Sequence, residues 1–343
     1  MSSFKPLLLC SLLLSLTGTL ATPSAEPLLP HGRTELPGYS GDFDHFAVDV
    51  AGKRLFLAAE DHGTLEVFDL SSGRRLKTIG GVETPHGIIY LAKANRLIVS
   101  DSGPGHSKIF DASSYKLIDT IKLQRGADSM TYDFAGKHAY IVTGGKNGNL
   151  ADSWLAKVDT RTGRTLGELR FDTDKVEALA VEQRGKRLYV NVTGKSEVAV
   201  VDKNALRIID TWPVKDGQMN AAMAFDEDHH RLFIVTRKPF QLLVVDASNG
   251  ATITRFRAPE RTNEVIYDKR NRRIYLAGDQ YLGVVQQIDA DHYTELPHVP
   301  TATGAKTAIF VPELNRLYIA VSPGEGKTGA AVLRFDAAGG TAH

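Results

Sequence analysis

The sequence predicts an all-β fold, a seven-bladed β-propeller of four-stranded antiparallel blades, from two markers that repeat in step. The first marker is an apolar strand led by Arg or His, and its third residues are Phe56, Ile98, Tyr140, Tyr189, Phe233, Tyr275 and Tyr318. These residues recur at spacings of 42, 42, 49, 44, 42 and 43. The second marker is an aspartate that closes an apolar run: Asp69, Asp111, Asp159, Asp202, Asp246, Asp289 and Asp336. A period in the low forties with several short strands per unit is typical of a propeller blade.

Each unit has room for four short strands. In the second unit we expect them at 87–93, 96–100, 107–111 and 116–123. The third connection often reads Asp-x-x-x-Gly, in which the Asp caps backbone N–H groups and the Gly takes the left-handed conformation. We therefore interpret the seven aspartates as turn residues.

The last unit is incomplete, because only residues 337–343 follow Asp336. The segment around Arg33–Leu36 lies where a fourth strand is missing. We predict that it completes the seventh blade, which would close the ring and protect a strand edge that could otherwise pair with another molecule. This gives a leader at 26–32 and one domain at 33–340.

Residues 1–25 have the pattern of a secretory signal peptide. Lys5 precedes an apolar stretch from Leu7 to Leu16, and small residues follow at a cleavage site. The single cysteine, Cys10, lies inside this segment, so the mature chain is expected to have no thiol. No later segment is apolar for long enough to span a bilayer. We expect a periplasmic or secreted protein, monomeric and not inserted in a membrane.

The charge balance argues against a nucleic-acid partner. There are 41 Lys and Arg against 40 Asp and Glu, a formal net charge of +1. Nucleic-acid binding draws most of its affinity from a basic face, and no Lys/Arg cluster of that kind is present.

Several segments resemble the YVTN-repeat β-propellers, the exported, lactonase-like propeller family. They are Tyr189-Val190-Asn191, Glu197–Asp202, Leu317-Tyr318-Ile319 and Val244–Gly250. The resemblance covers essentially the whole mature chain and implies an export-compatible seven-bladed ring. Members and neighbours of the group include lactonases, lyases, surface-layer repeats and propellers that bind partners, so the resemblance leaves the activity open.

The functional hypothesis depends on the start of each innermost strand, ten residues before the basic marker. This position lies at the mouth of the central channel, and it reads Asp44, His86, Asp128, Glu177, Ala221 (preceded by Asn220), Asn263 and Lys306. The next position adds His45, Ser129, Glu264 and Thr307. Five residues before the marker, in contrast, five of the seven units have an acidic residue. A repeated turn needs a repeated residue, whereas one asymmetric ligand needs a different group from each blade.

The composition of the mouth favours a cation or acid–base chemistry. Asp44, Asp128 and Glu177 offer oxygen ligands for Ca²⁺ or Mg²⁺, and His86 would also permit Zn²⁺ or Mn²⁺. In a metal-free alternative, His86 is a general base beside Asp128 or Glu177, and Lys306 binds an anionic substrate. These three, His86, Asp128 and Glu177, are the candidate catalytic residues.

The other candidate ligand-binding residues are His45, Asn220, Asn263, Glu264, Arg237 and Trp154. Loops on the same face add Glu60, His62, Asp101 and Asp279 as further candidates. Trp154 belongs to a long insertion at 144–154, and we consider two roles for it: stacking on a ligand ring, or packing on its own blade.

Two functions and one neutral interpretation remain open. The first function is binding of a small polar ligand at the mouth, with or without a divalent metal, and with lactonase- or lyase-like activity as one outcome. The second is a non-catalytic scaffold that binds another exported protein or a cell-envelope polymer. The neutral interpretation is a hydrated channel entrance without a ligand.

Overall fold

The structure is a computed structural model that describes Met1 and residues 26–103, 105–323 and 329–338. These residues form seven four-stranded antiparallel sheets in a ring, which confirms the predicted propeller. The first strand of each blade contacts the first strands of both neighbouring blades, so the seven first strands form a closed ring around the centre. All seven therefore begin at one end of the channel, the end we call the mouth.

The strands follow the repeat closely. The chain starts with β1 (Leu28–Glu35). Blade 1 contains β2 (Phe46–Asp49), β3 (Arg54–Ala59), β4 (Thr64–Asp69) and β5 (Arg75–Ile79). Blade 2 contains β6 (Pro85–Leu91), β7 (Arg96–Asp101), β8 (His106–Asp111) and β9 (Leu117–Lys122). Blade 3 contains β10 (Met130–Asp133), β11 (His138–Gly144), β12 (Ser153–Asp159) and β13 (Arg164–Phe171).

The remaining blades repeat this order. Blade 4 contains β14 (Leu179–Val181), β15 (Arg187–Val192), β16 (Glu197–Asp202) and β17 (Arg207–Pro213). Blade 5 contains β18 (Gln218–Asp226), β19 (Arg231–Lys238), β20 (Phe240–Asp246) and β21 (Thr252–Arg257). Blade 6 contains β22 (Glu264–Asp268), β23 (Arg273–Ala277), β24 (Tyr281–Gln287) and β25 (Tyr293–Pro300). Blade 7 contains β26 (Thr307–Val311), β27 (Arg316–Val321) and β28 (Ala331–Ala337), with β1 outside them.

The helical elements of the described chain are short. One helical turn, α1 (Gly145–Gly148), lies in the insertion of blade 3. Single 3₁₀ turns at Ala92–Ala94 and Pro312–Leu314 connect first and second strands, and one at Thr193–Lys195 connects the second and third strands of blade 4.

The ring closes as predicted, through the N-terminal strand. β1 pairs antiparallel with β28, from Leu28 opposite Ala337 to Glu35 opposite Ala331. The strand begins earlier than the sequence suggested, so residues 28–32 belong to the blade and are not a separate leader. The Arg273 guanidinium donates to the Pro27 carbonyl at 2.8 Å and anchors the start of this strand to blade 6.

The basic marker joins neighbouring blades. In four blades its guanidinium donates to a backbone carbonyl in the outer turn of the following blade: Arg54 to Ala112, Arg96 to Arg161, Arg187 to Ala247 and Arg231 to Ala290. Arg273 donates instead to Pro27, which directly precedes the outer strand of blade 7. Two residues after the marker, the fully buried Tyr140 and Tyr189 donate their hydroxyls to the outer turns of blades 4 and 5, to Lys203 O at 2.7 Å and Ala247 O at 3.2 Å. The repeat therefore records how one blade is attached to the next.

Six of the seven aspartates cap outer turns as predicted, whereas Asp336 lies within β28 and accepts a hydrogen bond from Arg316 at 2.6 Å. Asp69 Oδ1 accepts the Ser72 N–H at 2.7 Å, and Gly73 has a left-handed φ of 73°. Gly163 and Gly250 take the same conformation in blades 3 and 5. The turn is tolerant, because Tyr115 takes this position in blade 2 with a φ of 60°.

The predicted signal peptide at 1–25 and the last two residues of the predicted domain, 339 and 340, fall outside the described residues, apart from Met1. Within the described part of the chain, no helix has the length and apolar character needed to cross a membrane.

Candidate functional site at the channel mouth

The starts of the first strands surround a cavity of about 240 Å³. Ten of the predicted polar residues line it: Asp44, His45, Glu60, His86, Asp128, Ser129, Glu177, Asn263, Glu264 and Lys306. The structure thus places unlike polar groups from six blades around one opening. Ala221 and Met223 line the wall on the side of blade 5, which supplies apolar surface.

Three side chains at the mouth form a compact group of metal-binding type. Asp44, Glu60 and His86 each offer a ligand atom, and these atoms all lie within 4.8 Å of one another. His86 Nδ1 lies 2.7 Å from Asp44 Oδ2, and His86 Nε2 lies 3.9 Å from Glu60 Oε1. A carboxylate that bonds one imidazole nitrogen fixes the ring and leaves the other nitrogen to a ligand, an arrangement common at metal sites.

Asp44 carries an unsatisfied acceptor. The residue is only 7 % exposed, and its Oδ1 atom has no hydrogen-bond partner among the described residues. His45 Nε2 lies 3.5 Å away and makes no hydrogen bond with it. Because buried polar atoms are nearly always paired, this oxygen indicates a missing partner such as a cation or a water molecule.

The histidines at the mouth are held in the protonated form. Burial alone would lower the pKa of the His86 imidazole, but the carboxylates of Asp128 and Asp44 outweigh it and raise the pKa to about 10. The pKa of His45 is also raised to about 10, since Asp44 and Glu264 outweigh burial. These imidazolium charges keep the pKa of Asp44 well below its usual range despite burial.

The carboxyl group of Glu60 has a pKa close to neutral pH. Burial disfavours its carboxylate and raises its pKa to about 7, although His86 opposes the shift. The pKa of Asp128 is raised as well, chiefly by burial. Both pKa shifts favour the protonated carboxyl groups, and a divalent cation at this place would favour the ionised carboxylates instead.

Asp128 and Glu177 lie at the mouth but outside the compact group. Glu177 Oε1 lies 3.2 Å from Lys175 Nζ and 3.6 Å from Arg237 Nη1, so its charge is already paired. Asp128 Oδ2 accepts the Asn147 amide at 2.8 Å, and its Oδ1 lies 3.7 Å from His86 Nδ1. The geometry thus groups Asp44 with Glu60 and His86, whereas the sequence had grouped it with Asp128 and Glu177.

A second set of charged and polar side chains connects different blades around the opening. His45 Nδ1 lies 3.0 Å from Glu264 Oε2, which joins blade 1 to blade 6. Lys306 Nζ donates to Asp42 Oδ2 at 2.7 Å. The Arg237 guanidinium, besides facing Glu177, donates to Asn263 Oδ1 at 3.3 Å.

Two predicted ligand residues lie away from the cavity. Asn220 is fully buried and donates its amide to Asn191 Oδ1 at 2.7 Å and Glu197 O at 2.8 Å, so it holds neighbouring strands together. Trp154 lies within β12, opposite Thr143, and its ring covers Gly144 so closely that a Cβ there would come within 2.6 Å. Packing on its own blade, the second role considered for this residue, is the one that the structure shows.

The insertion of blade 3 nevertheless reaches the mouth through a different residue. Asn147, in α1, lines the cavity and bonds Asp128. Sequence reasoning also missed Asp42, Lys175 and Ser102, whose hydroxyl lies 3.2 Å from His86 Nε2. Asp42 and Lys175 both lie twelve residues before the basic marker of their blade, and Ser102 lies six residues after it, so counting from the marker could have reached these three positions.

The other loop candidates have structural partners. Asp101 is fully buried and accepts the Thr84 backbone N–H at 2.9 Å. Asp279 is bonded to Arg261 at 2.7 and 3.0 Å, and the His62 ring packs on Tyr39 at a centroid distance of 4.4 Å. Among the candidates on loops, Glu60 lines the mouth cavity, and Arg237 contacts the mouth residues Glu177 and Asn263.

Comparisons with known proteins support the fold and a distant relationship. No protein-family model matches the chain. The uncharacterized protein YncE of Salmonella typhi is 26% identical over 193 residues, which cover 55% of this chain and 52% of that protein. YncE of Salmonella typhimurium matches to the same extent. The chain thus spans about half the length of the curated relatives it matches.

Solved structures are similar over most of the chain but at low identity. Hydrazine synthase of Kuenenia stuttgartiensis superposes with a TM-score of 0.69 at 13% identity, over 89% of this chain and 96% of that chain. A chain of the mitotic checkpoint complex superposes with a TM-score of 0.70 at 15% identity, over 96% and 98%. At this identity the likeness shows the propeller fold alone.

Proposed function

We propose that this chain is an exported β-propeller that binds a small polar ligand at the channel mouth, together with a divalent cation held by Asp44, Glu60 and His86. The observation that carries the proposal is the compact arrangement of these three side chains around an unpaired, buried Asp44 oxygen. One imidazole nitrogen with carboxylate oxygens suits Zn²⁺ or Mn²⁺ better than Ca²⁺ or Mg²⁺.

The surroundings of the three ligands favour a ligand with an oxygen-rich or anionic group. Lys306 and His45 lie on the same cavity wall and offer N–H donors, and Asn147 and Asn263 offer amides. A divalent cation at this place would polarise a carbonyl oxygen, which is the chemistry of a lactonase- or lyase-like reaction. This chain's own residues would bind and orient the remainder of the ligand.

The metal-free general-base role of His86 is less well supported. With a pKa near 10, the imidazole is protonated at neutral pH and cannot accept a proton. The same proton must leave when a cation binds the ring, so a metal would also restore a neutral imidazole.

The test is metal binding by protein purified without chelators or affinity metals. We expect bound Zn²⁺ or Mn²⁺ by elemental analysis and, after stripping, binding by calorimetry that His86→Gln and Glu60→Gln each weaken about 100-fold. Glu177→Gln is the matched control, because Lys175 and Arg237 already pair that carboxylate. Absence of binding by the wild type, or an equal loss in Glu177→Gln, would refute the three-residue site.

A second candidate function, the non-catalytic scaffold, is favoured by exposed aliphatic side chains on the outer strands. Leu117 and Ile118 in β9 are 51% and 49% exposed, and Ile208 and Ile209 in β17 are 40% and 45% exposed. If an envelope protein binds there, Ile208→Ser with Ile209→Ser abolishes its capture and His86→Gln does not. Capture lost only in the mouth variants would favour the ligand site instead.

A further inference from the structure

A cavity larger than the mouth lies on the same face of the ring, between blades 5 and 6. Its volume is about 620 Å³, within the range of roughly 300–1,000 Å³ found for small-molecule sites. The start of β20, the end of β21 and the connection before β24 form its walls, and it shares no lining residue with the mouth. It therefore requires its own explanation.

One side of this cavity is aromatic. Phe240, Phe256 and Tyr281 line it, each partly exposed. The Tyr281 ring stacks on His298 at a centroid distance of 4.3 Å and an interplanar angle of 15°, and His298 Nε2 is bonded to Glu295 at 2.7 Å. A ring held in one orientation offers a flat apolar surface at little entropic cost.

The other side of the cavity carries two arginines, and one of them has no ion pair. Arg255 and Arg257 are two residues apart on β21, so both project from the face of the strand opposite to Phe256, and Arg257 lies close enough to Tyr281 to oppose the rise in its pKa. Arg255 lies 3.3 Å from Asp216, whereas the Arg257 guanidinium has no ion pair or hydrogen bond with any described residue. A guanidinium pair of this kind suits a carboxylate, which it can bind through two parallel hydrogen bonds.

The acidic lining residues refine the choice of ligand. The Asp279 carboxylate is occupied by Arg261 and the Gly304 N–H. Glu260 has no ion pair within the described residues and is free to accept hydrogen bonds from hydroxyl groups. The cavity is therefore complementary to a ligand that combines a carboxylate, a ring with an apolar face, and hydroxyl donors.

We infer that this cavity is a second ligand site, separate from the mouth, for an acidic saccharide such as a short uronic-acid oligomer. Arg257 and Arg255 bind the sugar carboxylate, Tyr281 stacks on the apolar face of a sugar ring, and Glu260 accepts hydroxyl protons. The site requires no metal.

The test is calorimetric titration of the full chain with trigalacturonate, with maltotriose and benzoate as probes that lack the carboxylate and the hydroxyls respectively. We expect trigalacturonate to bind at least tenfold more tightly than either probe. Arg257→Gln should weaken binding about tenfold or more, since it removes a charge-assisted contact. Tyr281→Leu should weaken it about fivefold.

The controls separate this site from general charge attraction and from the mouth. Arg207→Gln, an exposed arginine at the start of β17, should leave the affinity unchanged, as should His86→Gln and added chelator. Circular dichroism melting curves confirm that each variant is folded. Equal losses in Arg257→Gln and Arg207→Gln, no binding of trigalacturonate, or equally tight benzoate binding would each overturn the proposal.

Discussion

The two ends of each innermost strand behave differently. At the turn end, five residues before the basic marker, the acidic residues do the same work: Asp49 accepts the Gly52 N–H at 2.8 Å, Asp133 the Gly136 N–H at 3.1 Å and Asp268 the Asn271 N–H at 3.1 Å. At the mouth end, five residues earlier, His86 meets Asp44, whereas Glu177 meets Lys175. No two of these contacts repeat.

The difference follows from where each end lies. A turn contacts its own blade and the next, so its environment recurs around the ring and selects an acidic residue in five of the seven blades. The mouth residues meet around one axis, where each faces a different neighbour. Residues that repeat from blade to blade therefore mark contacts that pack the ring. Residues that do not repeat mark the mouth, where each side chain has a different environment.

The largest effect is expected from removing the strand that closes the ring. Deletion of residues 28–35 leaves β28 with a free edge and detaches Pro27, whose carbonyl accepts from Arg273, from the strand that holds it in place. We expect the melting temperature to fall by about 10 °C or more, because a whole blade loses its outer strand. Differential scanning calorimetry measures this directly.

The matched control is a substitution on the exposed side of the same strand. Leu29 is 50% exposed, so Leu29→Ser should leave the melting temperature nearly unchanged. A deletion variant that melts with the wild type would show that the ring does not depend on this strand.

A pair of substitutions separates the two ends of the strand most sharply. Asp49→Asn breaks a buried pair with Arg54, whose Nη2 lies 2.6 Å from Asp49 Oδ2, and should cost about 3 kcal/mol of unfolding free energy. It should leave cation binding intact. Glu60→Gln should do the reverse, because burial already opposes the ionised form of this side chain.

Urea unfolding and metal titration of both variants provide the two readouts. If Glu60→Gln destabilises the fold as much as Asp49→Asn, the mouth is a structural network. If Asp49→Asn weakens the cation, the two ends are coupled and the comparison fails.

The pH dependence of the metal-free protein tests the charges at the mouth. His86 has an ordinary pKa of 6.5 and a folded-state pKa of about 10, so between these values the folded protein holds a proton that the unfolded chain has lost. The contribution of this group is fully present below about pH 6.5 and is lost as the pH rises towards 10.

We therefore expect the unfolding free energy of the metal-free protein to fall over this window, with a shallower fall in His86→Gln. Urea unfolding at intervals of one pH unit measures the slope. Identical slopes for the two proteins would remove the electrostatic account of the mouth.

The fold was predictable because its signals are local and repeated. The basic marker, the aspartate turn and the incomplete last unit each gave a position that the structure confirms. The start of β1 was misjudged by several residues, since Leu28 and Leu29 precede a Pro-His-Gly run that does not look like a strand. Their pairing with β28 is a long-range contact, invisible to local pattern.

The mouth was predictable in outline but not in detail. Counting back from the marker found His86 and Asp44, since strand starts meet at the axis. This counting could not select Glu60 from the other loop candidates. It also could not show that Lys175 and Arg237 neutralise Glu177. Arg237 comes from a different blade, which the spacing does not encode, and although Lys175 lies only two residues from Glu177, the pattern does not show how the two side chains are oriented.

The smallest expected effect concerns the contacts that join one blade to the next. Tyr140→Phe removes a hydroxyl that donates to Lys203 O at 2.7 Å. That carbonyl keeps a second donor, Lys157 Nζ at 3.0 Å, so no buried acceptor is left unpaired and the cost should be about 1 kcal/mol or less. Tyr132→Phe is the control, because no described residue accepts a hydrogen bond from that hydroxyl. A loss of several kcal/mol in Tyr140→Phe would mean that the ring depends on single inter-blade hydrogen bonds. A small loss would instead show that its stability is distributed over the repeated contacts, which leaves the mouth residues free to differ.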